Sequence, residues 1–183
     1  MKIKNLILIK FIFIFIFLIN SNEAKTEDCD TTVSSSLTSQ LECSDNDTLN
    51  VAISGSVIKT GADTIHAKNH SDVTIDNKGT ISASVNQAIN MQHAVNSTVT
   101  NSGTIEATLR NAILMDGDNA DNNTINNSGT LKAGKKQVIL ATNSENTTII
   151  NSGSIETTNS SNPNTGGINY YNTSGSAING ATI

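Results

Sequence analysis

The sequence predicts an all-β protein, a right-handed parallel β-helix (solenoid) of about five coils with about 24 residues in each. Two observations carry this prediction: glycines recur at a regular period, and apolar residues alternate with polar ones beside each glycine. The period lies in glycines that stand 24, 24, 26 and 24 residues apart: Gly55, Gly79, Gly103, Gly129 and Gly153. Apolar residues two positions apart indicate strands rather than helices, and short strands in units of equal length stack in register as a solenoid.

The first 24 residues have the pattern of a secretory signal peptide. Lys2, Lys4 and Lys10 accompany an apolar run at 11–19, and Ala24 stands at a plausible cleavage point. The alternative is a retained membrane anchor, but this run has about half of the ~20 residues that a spanning helix needs. We therefore expect an exported protein, located at the cell surface, in the outer membrane or outside the cell.

The charge of the processed chain excludes nucleic acid as a partner. The whole sequence has a formal charge of -5, and removal of residues 1–24 leaves 8 Lys and Arg against 15 Asp and Glu, a charge of -7. Binding to phosphate backbones requires basic patches, which this composition does not supply.

Each repeat unit is predicted to hold three short strands: one ends before the glycine, one follows it, and one lies about ten residues further on. Aliphatic residues in these strands are expected to stack as inward ladders that bury apolar surface without aromatic rings. Two residues before the glycine stand asparagines whose amides should stack at one corner: Asn77, Asn101, Asn127 and Asn151. The corner glycines are expected to supply a backbone conformation that a Cβ opposes. Right-handed winding is favoured because parallel crossovers nearly always have that hand; the rival is a left-handed hexapeptide helix.

Departures from the period predict two loops. Two extra residues fall within 116–123 and five within 157–167. These segments are the expected protrusions, and protruding loops are where scaffolds usually carry recognition. The segment 25–48 precedes the first repeat and is expected to cap it. Its two cysteines, Cys29 and Cys43, are a candidate disulfide, as is usual in exported proteins.

The repeated run Asn101-Ser102-Gly103-Thr104-Ile105 and its counterparts resemble the passenger region of bacterial autotransporters and related haemagglutinin-like surface proteins. The resemblance covers roughly residues 49–158. It implies export, display or release, and non-catalytic adhesion to host or environmental surface glycans or proteins. It also implies attachment to the outer membrane through a C-terminal barrel, which does not follow here. Residues 49–183 are therefore expected to be β-helix repeats that are incomplete at the C-terminus, within a longer protein whose reading frame continues after residue 183.

Two other functions remain open. A β-helical lyase or hydrolase gathers carboxylates or a basic residue on adjacent coils, but Arg110 is the one arginine, and the histidines share no column: His66, His70 and His93. An ice- or surface-binding solenoid would use outward threonines, of which a partial column follows the glycines: Thr80, Thr104 and Thr130, interrupted by Ser56 and Ser154.

Modification and metal binding receive little support from the pattern. Three aspartates could chelate calcium with oxygen ligands, but an acidic solvated loop is the favoured interpretation: Asp116, Asp118 and Asp121. Sequons such as Asn96-Ser97-Thr98 are expected by chance in a chain rich in Asn and Thr. No catalytic, cofactor or metal site is predicted.

Overall fold

The computed structural model describes residues 26–158 and 166–171, and the backbone of 175–179, as twenty β-strands. A short first turn holds β1 (Thr26–Asp28), β2 (Thr31–Val33) and β3 (Ser36–Leu37). The next turns hold β4 (Gln40–Glu42), β5 (Thr48–Val51), β6 (Ser56–Lys59), β7 (Ile65–His66), β8 (Thr74–Asn77), β9 (Thr80–Ala83), β10 (Ile89–Asn90), β11 (Thr98–Asn101) and β12 (Thr104–Ala107). The last ones hold β13 (Ile113–Asp116), β14 (Thr124–Asn127), β15 (Thr130–Ala133), β16 (Gln137–Thr142), β17 (Thr147–Asn151), β18 (Ser154–Thr157), β19 (Gly166–Tyr171) and β20 (Gly175–Asn179).

Every third strand belongs to the same parallel sheet, which confirms the predicted solenoid. The first sheet runs from β1 through β4, β7, β10, β13 and β16 to β19, the second from β2 to β20, and the third from β3 to β18. Neighbouring strands pair residues about one period apart, as in Ile65 with Ile89 and Ile105 with Ile81. The first turn is shorter, because Thr26 of β1 already pairs with Gln40 of β4. The described strands thus form about five turns of the predicted period after this shorter turn.

Inward aliphatic residues form one continuous core. They stack as three ladders, one on each sheet, and every member is at most 2% exposed: Leu41, Ile65, Ile89, Ile113 and Ile139; Leu49, Ile75, Val99, Ile125 and Ile149; Val57, Ile81, Ile105, Leu131 and Ile155. Burial of one such side chain stabilises the fold by roughly 2 kcal/mol. Because each turn repeats the same contacts, the core needs no large aromatic residue.

The corner glycines are required for a different reason from the one the sequence suggested. The expectation of a special backbone conformation is wrong, because positive φ angles among the described glycines occur at Gly61 and Gly117 and not at the corners. A Cβ added to Gly103 would instead collide with the carbonyl oxygen of Gly79 in the turn before it. The glycine column therefore permits close stacking of successive turns.

The corner between the first and second sheets uses left-handed backbone conformations. Nine non-glycine residues in the described segments have positive φ: Asn46, Asn69, Asp72, His93, Asn96, Asn119, Asn122, Asn143 and Asn146. Asparagine tolerates this region better than other side chains do. The register of the second sheet aligns these residues in two columns. One column lies two residues, and the other five residues, before threonines that pair across this sheet, such as Thr98 and Thr148. The asparagine-rich composition thus has a conformational cause.

Both predicted insertions fall between strands. The offset between paired residues rises by two across 116–123, where Thr98 pairs with Thr124, and by five before β19, where Ile139 pairs with Ile168. Part of the second insertion, 159–165, lies outside the described residues, as do residues 1–25 with the signal peptide and its cleavage point.

The segment 26–48 continues the three sheets. Its buried Cys29 and Cys43 are joined by a disulfide with Cα atoms 4.6 Å apart. Cys29 donates its backbone N–H to Glu42 O at 3.0 Å, so the disulfide and the strand pairing link the first two turns at the same place.

Candidate functional site

The most ordered polar feature is a buried ladder of side-chain amides. Asn77 Nδ2 donates to Asn101 Oδ1 at 2.7 Å, and Asn101 Nδ2 donates to Asn127 Oδ1 at 2.7 Å. Asn127 Nδ2 donates in the same direction to Asn151 Oδ1 at 2.6 Å. The four side chains are at most 2% exposed. Because they face the interior, the asparagines stabilise a corner and offer nothing to a ligand.

The ladder starts at Asn77. Its partner in the turn before is Val51, which has no amide to donate. Among the described residues, Asn77 Oδ1 is the buried side-chain polar atom that lacks a hydrogen-bond partner. The amide Nδ2 of the same residue also donates to Thr104 O at 3.1 Å, so one end of the side chain is fully engaged and the other is not.

The outer face of the third sheet carries a row of hydroxyl groups. Strand pairing aligns five partly exposed side chains, here called the hydroxyl row: Ser56, Thr80, Thr104, Thr130 and Ser154. The serines that seemed to interrupt the column therefore extend it. Two residues further along the strands, Lys132 pairs with Glu106 on one side and Glu156 on the other. Glu106 and Lys132 also line a shallow groove of about 240 Å³.

The second sheet carries a column made entirely of threonines, which the sequence reasoning missed. Its members, here called the threonine ladder, are paired in register and at least partly exposed: Thr48, Thr74, Thr98, Thr124 and Thr148. The signal was present in the sequence, since each of these threonines stands one residue before an aliphatic core residue. It is less conspicuous than the glycine period because threonine is frequent throughout the chain.

The loop at 116–121 does not gather its carboxylates. Asp116 accepts a hydrogen bond from the Thr142 hydroxyl, and Asp121 Oδ1 accepts the Glu145 backbone N–H at 2.7 Å. His93 Nδ1 is hydrogen-bonded to the Asp118 carbonyl oxygen at 2.8 Å. Within the described ranges, no three His, Cys, Asp or Glu side chains are close enough to hold a metal ion. The aspartates are used to fasten one turn to the next.

The remaining two histidines lie in separate places. His66 on β7 stands with Nδ1 3.6 Å from Asp63 Oδ2 and 3.3 Å from Gln40 Nε2, on the outer side of the first sheet. Asp63 is largely buried, and its Oδ2 also accepts the Asn90 amide at 2.8 Å. Arg110 is exposed in the connection between β12 and β13.

His70 pairs with an aspartate at the corner between the first and second sheets. Its Nδ1 lies 3.2 Å from Asp45 Oδ1, which also accepts the Ser71 backbone N–H at 2.9 Å. The Ser71 N–H and then the His70 contact hold the pKa of the Asp45 carboxyl below its ordinary value of 3.8. Burial raises the pKa of Tyr170 above 10.0, and its hydroxyl donates to Thr147 O at 2.6 Å.

Comparison with known proteins identifies no relative, so the chain is classified by its fold. No protein-family model, no curated protein and no solved structure matches this chain. The described residues include no helix with the length and hydropathy of a membrane span. The geometry defines the chain as a parallel β-solenoid whose outer faces carry hydroxyl, amide and scattered charged groups.

Proposed function

We propose that this chain is the exported, non-catalytic passenger of an autotransporter-like protein and acts as an adhesin for surface glycans or proteins. One observation carries the proposal: the outer face of the third sheet presents the hydroxyl row beside alternating charges and the groove at Glu106 and Lys132. Hydroxyl, carboxylate and ammonium groups are suitable partners for the many hydroxyl groups of a sugar chain. The signal-like N-terminus and the resemblance of the repeats support export.

The rigid repeat is suited to polymeric ligands. Successive members of the hydroxyl row lie about 4.8 Å apart, the distance between hydrogen-bonded strands. Several weak contacts along such a row add through effective concentration when the ligand repeats as well. A glycan chain or a densely glycosylated surface therefore matches the face better than one small molecule does.

A binding assay with matched variants tests the proposal. The processed full chain is applied to a glycan array. Beads coated with the same chain are applied to cell surfaces. Lys132→Ala and Glu106→Gln are expected to weaken binding at least about tenfold, a loss of roughly 1.4 kcal/mol. The control, Thr100→Ala, changes an exposed residue on the second sheet and should bind as the unmodified chain does.

Three outcomes contradict the proposal that this chain is an adhesin. Absence of binding to any glycan or surface protein rejects adhesion, and equal losses in the control reject the third sheet as the binding face. Turnover of a bound polysaccharide would favour the β-helical lyase or hydrolase instead.

The threonine ladder favours an ice- or surface-binding solenoid as a second candidate. It presents five hydroxyl and methyl pairs at equal intervals on the second sheet, and such a row matches a regular solid surface. Thermal hysteresis of the purified chain that disappears in Thr98→Asn, with the fold retained, would support this candidate over adhesion.

A further inference from the structure

Several Asn-x-Thr sequons share one exposed corner of the solenoid. The register places four of them on different turns of one column, because the threonine of each sequon belongs to the threonine ladder: Asn46-Asp47-Thr48, Asn96-Ser97-Thr98, Asn122-Asn123-Thr124 and Asn146-Thr147-Thr148. We propose that these asparagines, here called the sequon column, are acceptors for N-linked sugar. The proposal shares the export route with the function above and does not require adhesion.

The backbone holds each acceptor at the surface. All four asparagines are exposed, with positive φ angles between 54° and 68°. Three of them donate their backbone N–H to the following turn: Asn46 to Ser71 O at 3.0 Å, Asn96 to Asp121 O at 2.9 Å and Asn122 to Glu145 O at 2.8 Å. The side chains therefore lie on a rigid, outward corner, the kind of surface position that carries this modification.

The two recognition groups of each sequon lie on the same side of the chain. In three of the four sequons the middle residue points inward and is fully buried, namely Ser97, Asn123 and Thr147, whereas Asp47 in the first sequon is partly exposed. The asparagine and the threonine on either side are thereby both left at the surface, and no middle residue is proline. A transferase that reads the threonine hydroxyl with the asparagine amide would find both groups accessible in the folded chain.

The third turn shows that the fold does not dictate asparagine here. Asp72 has the same conformation, with φ 60°, and Thr74 stands two residues later. A carboxylate thus satisfies the backbone requirement while lacking the amide nitrogen that accepts sugar. The conformation therefore admits a residue that cannot accept sugar, and the third turn is a natural position without an acceptor in the same column.

The chemistry requires a phosphate-activated sugar as donor. Nδ2 of the asparagine attacks the anomeric carbon, the new C–N bond forms, and the C–O bond to phosphate breaks with its electron pair leaving on the phosphate. One amide proton passes to a base of the transferase. The remaining N–H is retained, so the contact of Asn146 Nδ2 with Asn122 Oδ1 at 3.3 Å is compatible with modification.

Peptide mapping of the protein exported by the cells that produce it tests the proposal directly. Mass spectrometry with fragmentation that preserves side-chain modifications should locate a sugar mass on asparagines of the sequon column. If all column peptides have unmodified masses, the proposal is rejected. It is also rejected if sugar occurs only at other sequons, such as Asn69-His70-Ser71 or Asn126-Asn127-Ser128.

Variants in the same cells separate sequon recognition from other attachment. Thr124→Val should remove the sugar from Asn122, whereas Thr124→Ser should retain it. Asp72→Asn should add a sugar to the third turn, since Thr74 already completes the motif. Far-ultraviolet circular dichroism checks that each variant is folded. Sugar that persists on Asn122 in Thr124→Val, or an unmodified third turn in Asp72→Asn, would overturn the proposal.

Discussion

Breaking the amide ladder in its middle is expected to cost more than shortening it by one member. Asn101→Val leaves Asn127 Oδ1 without its donor. Because Asn77 Oδ1 already lacks a partner, this variant has two buried oxygens without a hydrogen bond. Asn77→Val leaves the number unchanged, because Asn101 Oδ1 loses its donor while Asn77 Oδ1 disappears. Valine fits the column, since Val51 occupies it one turn earlier.

The difference between the two variants follows from the cost of one buried unsatisfied oxygen. That cost is about 1–3 kcal/mol, so Asn101→Val should be less stable than Asn77→Val by this amount. Equilibrium unfolding in urea, followed by far-ultraviolet circular dichroism, measures both free energies of unfolding. The slopes against urea must agree for the comparison to hold. Equal destabilisation of the two variants would refute the reasoning that the ladder is a continuous chain.

Four further predictions concern the core, the corner, the disulfide and one carboxyl group. Ile105→Asp should abolish the folded state, at a cost above about 4 kcal/mol, because the charge would be buried without a partner; circular dichroism detects this. Gly103→Ala should destabilise by about 1–3 kcal/mol in urea unfolding, because its Cβ collides with the preceding turn. Reduction of Cys29–Cys43, which are 14 residues apart, should lower the free energy of unfolding by about 3 kcal/mol, and a thiol assay before reduction should find no free thiol. Because the Asp45 pKa is lowered in the folded state, its contribution is present above pH 3.8 and is lost as the pH falls through the folded pKa; a carboxyl titration by NMR should have its midpoint below 3.8.

Matched outward variants provide controls for these predictions. Glu106→Ala changes a partly exposed neighbour of the core residue and Ser102→Ala an exposed neighbour of the corner residue, and both should alter stability by less than about 0.5 kcal/mol. A stable Ile105→Asp chain, or a Gly103→Ala chain as stable as Ser102→Ala, would contradict the inferred packing. Unchanged stability on reduction would show that the disulfide does not stabilise the fold. A titration midpoint for Asp45 at or above 3.8 would contradict the hydrogen bonds inferred for its carboxylate.

The turns were predictable from the period because the same alternation of inward and outward residues recurs in every turn. Residues two apart face the same side of a strand, so the positions of Ile105 and its counterparts follow from counting. The short first turn could not be predicted from the period, since Thr26 and Gln40 pair at a separation well below it. Handedness remains a prediction.

Surface features were harder to predict because composition hides their order. The threonine ladder and the sequon column consist of the two commonest kinds of polar residue in the repeats, and only the register shows which copies share a line. The glycine column was located correctly but explained wrongly. A sequence shows that Gly103 recurs, whereas the approach of the preceding carbonyl becomes visible only when the turns are stacked.

The amide ladder also gives the solenoid an electrical polarity along its axis. Every amide from Asn77 to Asn127 donates toward the later turn, so the side-chain dipoles are parallel and add. The Asn77 oxygen is then the negative end, and the positive end lies in the direction of Asn151. Parallel amides polarise one another, so each added turn should strengthen the hydrogen bonds already formed. The two ends of the ladder therefore differ in electrostatic potential, although each turn between them repeats the same contacts.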